Sequence, residues 1–122
     1  MNDAAPKVSE TDLLWLFIQR VPQAIPGAHI ERRNIIKGAR IGKTDFRISN
    51  GMKGQCDCFV ILPGSRHVEC ETKAPKGRLS PEQRRWKQRC EALGIPHLVL
   101  VAHECDSPDD TVAAWIEQTR QA

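Results

Sequence analysis

Apolar residues recur at helical spacing from Leu13 through Leu14, Phe17 and Ile18 to Val21, predicting a helix. Ser9 is a suitable N-cap, Glu10 and Asp12 complement the first turn, and Pro22 is expected to close the helix. Pro26-Gly27 marks a turn. Residues 28–36 form a candidate strand weakened by Arg32 and Arg33, and residues 37–53 are rich in glycine and basic side chains, with a short strand candidate at 46–48. Residues 55–62 read as a strand and Pro63-Gly64-Ser65 as a turn. From Arg66 to Lys73 the pattern alternates: Val68, Cys70 and Thr72 share one face, Glu69, Glu71 and Lys73 the other. After a loop at 74–79, Ser80-Pro81-Glu82-Gln83 combines an N-cap serine, a proline at the first helical position and a capping-box glutamine. That helix should run to about Leu93, with Gly94 as its cap. Pro96 leads into a buried strand at 97–102, and Ser107-Pro108-Asp109-Asp110 opens a last helix through Trp115. The order predicts an α/β fold with an αβββαβ core, its mixed sheet flanked by helices on both faces.

A chain of 122 residues suits one domain spanning 1–122, and 40% hydrophobic with 27% charged residues is ordinary for a globular protein. The net charge of +3 is small, but its distribution is not even. Fifteen of the eighteen basic residues fall between Arg32 and Arg89, while acids dominate both ends. A basic middle suits a polyanion, and an unevenly charged solvated surface explains it equally well. The opening MNDAAPKVSETD has no basic leader followed by an apolar run, and the stretch from Leu13 to Ile18 is far too short for a membrane span. Five cysteines lack zinc-type spacing, and Cys56, Cys58 and Cys70 are expected opposite the carboxylates as small core residues in a reducing, cytoplasmic setting.

The hairpin supplies candidate chemistry. With a three-residue loop, cross-strand partners sum to 128, and Asp57 faces Glu71 with Cβ atoms about 4.5–5.5 Å apart. A two-residue loop would instead put them on opposite faces. Two carboxylates that close can share a divalent cation, and hard oxygen donors favour magnesium or manganese. Lys73, two residues on, lies about 6.5 Å further along the same face. Phosphodiester hydrolysis calls for such parts: a Lewis acid, a source of nucleophilic water and a cation near the transition state. Glu-x-Lys alone would equally suit an exposed ion pair. An aspartate within an apolar strand is harder to explain that way, because a buried lone carboxylate is costly.

The runs GQCDCFVI and HVECETKAPKGRLSPEQRRW resemble the VRR-NUC family, virus-type replication-repair nucleases of the PD-(D/E)xK superfamily. The matching features are Gly54-x-x-Asp57, Glu71-x-Lys73 and the segment from Gly77 to Gln83, with Cys56 where many members have proline. The resemblance implies a restriction-endonuclease-like core and metal-dependent cleavage of DNA. It implies Asp57, Glu71 and the carbonyl of Thr72 as metal ligands, Lys73 as a catalytic residue and Gln83 close to the site. Gln83 also reads as a capping-box residue, and the two roles are compatible. Glu10 resembles an additional metal-binding glutamate of the first helix, and an acid favouring the helix dipole accounts for it as well. Glu69 shares the face of Glu71 or lies solvated at an edge.

The resemblance further implies a homodimer acting on branched DNA, Holliday junctions in particular, and a phage or mobile-element origin. Arg32, Arg33, Lys37, Arg40, Lys43, Arg47, Lys76 and Arg78 would then contact phosphates. Arg84, Arg85, Lys87 and Arg89 surround one helix, so only some can face DNA. Trp15, Trp86 and Trp115 are expected in the core or a dimer interface, and the four histidines are assigned no role in the chemistry. The remaining alternatives are a nuclease for linear or nicked duplex and a DNA-binding module that keeps the fold without catalysis.

Overall fold

The structure, a computed structural model, describes residues 8–33, 39–40, 47–48, 54–102 and 107–122. Helix α1 (Glu10–Ala24) begins where the Ser9 side chain accepts from the Asp12 amide at 3.0 Å, and it buries Leu13, Leu14, Phe17 and Val21. Pro22 lies inside this helix, whereas the sequence suggested that it ends there. Pro22 lacks the N–H that would bond the Ile18 carbonyl and its ring crowds that oxygen, yet the helix continues to Ala24 and Ile25 N–H closes it onto the Val21 carbonyl at 2.8 Å.

Five strands follow before the next helix: β1 (His29–Arg32), β2 (Ala39–Arg40), β3 (Arg47–Ile48), β4 (Cys58–Leu62) and β5 (Arg66–Lys73). Among the described residues, strands β2 and β3 pair with each other in a separate two-stranded sheet. The register of β4 on β5 runs from Cys58 opposite Cys70 to Leu62 opposite Arg66, so the loop is Pro63-Gly64-Ser65. Gly64 (φ 87°) and Ser65 (φ 65°) both adopt the left-handed conformation that this tight reversal requires. Two expected strands are shorter in the structure. The first covers only 29–32, its expected positions 34–36 lying outside the described residues. The second begins at Cys58, so Asp57 occupies a bend before the ladder instead of a place within it.

Helix α2 (Pro81–Ala92) carries the complete Ser80–Gln83 capping box and ends at Leu93, followed by Gly94 at φ 73°. Strand β6 (His97–Val101) pairs in parallel with β5 and completes the order β1-β4-β5-β6, otherwise antiparallel. As an edge strand it fully buries only Leu100, less than the sequence suggested. Helix α3 (Pro108–Gln121) extends six residues beyond the expected Trp115. Ile116 and Thr119 continue its buried stripe, and the Thr119 hydroxyl donates to the Trp115 carbonyl at 2.8 Å.

Leu13, Leu14, Phe17, Cys58, Val60, Val68, Cys70, Val112 and Trp115 form one core between the sheet and the pair α1 and α3. Phe17 and Trp115 meet edge to face at 5.9 Å, and the Trp115 indole N–H donates to the Val101 carbonyl at 3.0 Å. Because side chains alternate along β5, Glu69 and Glu71 project to the opposite face, under α2. The result is the expected mixed αβββαβ arrangement with α3 added. Among the described residues no helix is long and apolar enough to cross a membrane.

Candidate active site

Gly54 holds the chain segment that carries Asp57 against α2. It adopts φ 94°, and a Cβ there would lie 2.5 Å from the Glu82 carbonyl oxygen, so no larger residue fits without displacing backbone. Three residues on, the Asp57 carboxylate reaches β5: Oδ2 accepts from both the amide and the hydroxyl of Thr72, each at 2.8 Å. The same hydroxyl lies 3.0 Å from Glu10 Oε1, at the start of α1. A hydroxyl carries one proton, so Thr72 ties the two carboxylates to a shared hydrogen. Thr72 thus engages Asp57 through its amide and side chain.

The Glu71 side chain leaves β5 on the face opposite the Thr72 side chain, 3% exposed and close enough to Asp57 to feel its carboxylate. Gln83 performs both functions considered for it. Its Oε1 accepts from the Ser80 amide at 2.8 Å, and its Nε2 donates to Glu71 Oε1 at 2.8 Å. Among the described residues the second Glu71 oxygen, Oε2, is buried without a hydrogen-bond partner. Burial, then the adjacent Asp57 carboxylate, push the Glu71 carboxyl up to about 8, against the opposing influence of Lys73. The methylene stem of Lys73 is approached by Gly77, where an added Cβ would lie 3.3 Å from Lys73 Cδ.

These residues fit a divalent cation in one respect and limit it in another. An orphaned buried carboxylate oxygen beside a second carboxylate is only partly offset by Lys73, and the hard oxygen donors suit magnesium or manganese. Among the described residues, however, no three His, Cys, Asp or Glu side chains group as a metal cage. The pair brought together is Asp57 and Glu71, with Glu10 linked to Asp57 through the Thr72 hydroxyl and adding its charge to those that Glu71 feels.

Neither any family model nor any curated protein matches the sequence. Among solved structures, a VRR_NUC domain superposes with a TM-score of 0.57 at 22% identity, covering 88% of this chain and 94% of that one. The fold is that of a VRR_NUC domain. A crystal structure of paFAN1 bound to 1-nucleotide 5′-flap DNA with a gap also matches, at 32% identity and a TM-score of 0.37. That match covers 41% of this chain and 9% of the other.

Within this VRR_NUC fold, Glu69 is one of two glutamates, with Glu10, that the sequence left undecided. It is 1% exposed and fully engaged. The Arg33 guanidinium grips it with both terminal nitrogens, one to Oε2 at 2.9 Å. His67 Nε2 meets Oε2, and Trp86 Nε1 donates to Oε1 at 3.0 Å. Arg33 also lies 4.8 Å from the Phe59 ring centroid, and Phe59 stacks on His67 at 5.0 Å. Burial opposes the Glu69 charge, but these donors outweigh it and hold the carboxyl below its ordinary range. Burial likewise opposes the Arg33 charge, and Glu69 raises its pKa above the usual value. Arg33, a candidate phosphate contact in the sequence, has its guanidinium committed to this ion pair.

The other candidates are dispersed. Arg32 lies 5.0 Å above the ring of Trp15, which is 47% exposed and outside the core. Lys76 and Arg78 are exposed on the loop after Lys73. Arg40 and Arg47 are backbone register partners in β2 and β3, while Lys37 and Lys43 lie outside the described residues. Cys58 and Cys70 take the expected core face, but Cys56 is buried where Glu71, Glu69 and Cys90 influence it, on the carboxylate side. Burial pushes the Cys56 thiol far up, which excludes a thiolate there. Both ring nitrogens of His97 are buried without partners, and burial holds that ring neutral.

Proposed function

We infer that this protein is a divalent-metal-dependent DNA endonuclease acting on branched DNA, as a homodimer using magnesium or manganese. The observation that carries the reading is the pair of carboxylates at Asp57 and Glu71, one of them with a buried, unpartnered oxygen, beside the ammonium group of Lys73. A structural role would have left Glu71 paired, as Glu69 is. The fold shared with a solved VRR_NUC domain agrees with it.

Asp57 and Glu71 would hold the cation, which when bound supplies Lewis-acid polarisation of the scissile phosphate and eases water ionisation. Thr72 fixes the orientation of Asp57 through two donors on one oxygen. Gln83 fixes Glu71 through its other oxygen, leaving Oε2 for the ion. Lys73 places a positive charge where negative charge develops on the phosphate. A two-fold dimer would present two such centres to a two-fold junction.

The test is cleavage of four-way junction, flap, nicked duplex, linear duplex and single-stranded DNA with magnesium or manganese. Junction cleavage is expected to exceed that of linear duplex. Asp57→Asn, Glu71→Gln and Lys73→Ala should each lower it at least about 10²-fold while remaining folded. DNA binding without turnover in either metal would show a non-catalytic module, and Asp57→Asn cleaving at the wild-type rate would reject the site.

A further inference from the structure

The sheet-facing stripe of α2 uses Gln83, Trp86 and Cys90, which leaves its neighbouring stripe unexplained. Arg84, Lys87, Gln88 and Glu91 recur there at helical spacing. With Arg78 and Leu79 of the preceding loop they line a groove of about 460 Å³. Its upper end is the loop that follows Lys73. From there it descends along α2 toward Glu91, which together with Lys87 faces His97 on β6.

No ion pair neutralises Arg78, Arg84 or Lys87 among the described residues. Among the described residues the ion pair on α2 joins Arg85 to Glu82 at 3.8 Å, on another side of the helix. Arg84 donates one guanidinium nitrogen to the Leu79 carbonyl at 3.0 Å, which aims the side chain along the groove without neutralising it. Arg84 and Lys87 stand roughly 4.5 Å apart along the helix axis, so both can reach phosphates of one strand lying in the groove. Three cations lining one elongated groove, which begins at the loop following Lys73, suit a phosphodiester backbone better than a compact anion.

We propose that the Arg78–Arg84–Lys87 groove binds the sugar-phosphate backbone of the DNA strand beside the cleavage site. This rests on the nuclease reading above and adds a path for the substrate. The acid Glu91 ends the basic stretch, so the contact covers the upper part of the groove. Sequence reasoning could not select this side of α2, because four basic residues surround the helix and only packing shows which of them share a concave surface.

Fluorescence anisotropy with labelled junction DNA, at several salt concentrations and without divalent cation, tests the groove separately from cleavage. Lys87→Gln removes one charge, and Gln88→Glu adds an opposing one at an exposed position without deleting a contact. Each should weaken binding several-fold, and Lys87→Gln should reduce the slope of log affinity against log salt by about 1. In cleavage assays KM should rise while kcat stays near wild type, and Arg89→Gln, outside the groove, should bind like wild type. If both groove variants bind with wild-type affinity and salt slope, the groove is rejected while the nuclease reading stands. Wild-type protein that binds no DNA at low salt overturns both.

Discussion

Glu69 and Glu71 stand two residues apart on one strand, on one face, beneath the same helix, at 1% and 3% exposure. Their environments differ in kind. Glu69 receives donors from Arg33, His67 and Trp86, and its carboxyl is held below the ordinary range. Glu71 receives one donor from Gln83, keeps a buried oxygen without a partner, and is pushed up to about 8 by burial and by Asp57. The strand therefore pairs a carboxylate completed by the protein with one left incomplete. An incomplete buried carboxylate is unfavourable for folding, and it is the kind of group that a cation from solution can complete.

The largest effect expected from breaking this contrast is on stability at the completed end. Arg33→Ala or Glu69→Ala leaves one charge of a buried pair uncompensated and should cost about 3–5 kcal/mol in urea unfolding. Glu71→Gln should cost far less or stabilise the metal-free protein, because burial forces Glu71 to keep a proton that the unfolded chain has released, and glutamine is free of that cost. Equal destabilisation by Glu69→Ala and Glu71→Gln would erase the distinction.

A smaller effect is the pH dependence. The unfolded chain releases the Glu71 proton near 4.5 and the folded protein near 8. Between these values the folded state holds a proton that the unfolded state has lost, so this group makes stability fall as pH rises across the window. His97, buried and neutral, acts in the opposite direction below its ordinary value of 6.5. The difference in Tm between wild type and Glu71→Gln isolates the Glu71 contribution, and it should turn increasingly in favour of the variant from pH 5 to pH 8 without divalent cation. Added magnesium should raise the wild-type Tm more at pH 8 than at pH 5, since the proton and the cation compete for one carboxylate.

The smallest effect belongs to Gln83, which serves both the helix and the site. Gln83→Ala should cost about 1 kcal/mol through the lost cap. It should also lower kcat, because Glu71 loses the donor that orients it. Gln83→Glu can still accept from the Ser80 amide but cannot donate to Glu71 when ionised. A stability near wild type with reduced kcat in that variant would separate the two roles.

Where local chemistry decides, the sequence was sufficient. Ser9, Ser80 and Ser107 start the helices of the described residues, Gly94 follows α2, and Pro63-Gly64-Ser65 sets the register of β4 on β5, although Asp57 itself lies in a bend before that ladder. Each depends on residues within a few positions of one another, where backbone sterics and near-neighbour hydrogen bonds outweigh distant contacts. Boundaries were read less well. Pro22 sits inside α1 and α3 continues past Trp115, because packing against the core extends a helix beyond what its local signals support.

What only the tertiary structure decided is the fate of the charges. Arg33 reads as one more basic residue in a basic stretch, yet it closes on Glu69, 36 positions away. Thr72 reads as an inward strand residue, yet its hydroxyl joins Asp57 to Glu10 of the first helix. Identical side chains carry no mark of whether they will meet a partner or solvent. That depends on which distant elements the fold presses together, and on whether the space between them admits water.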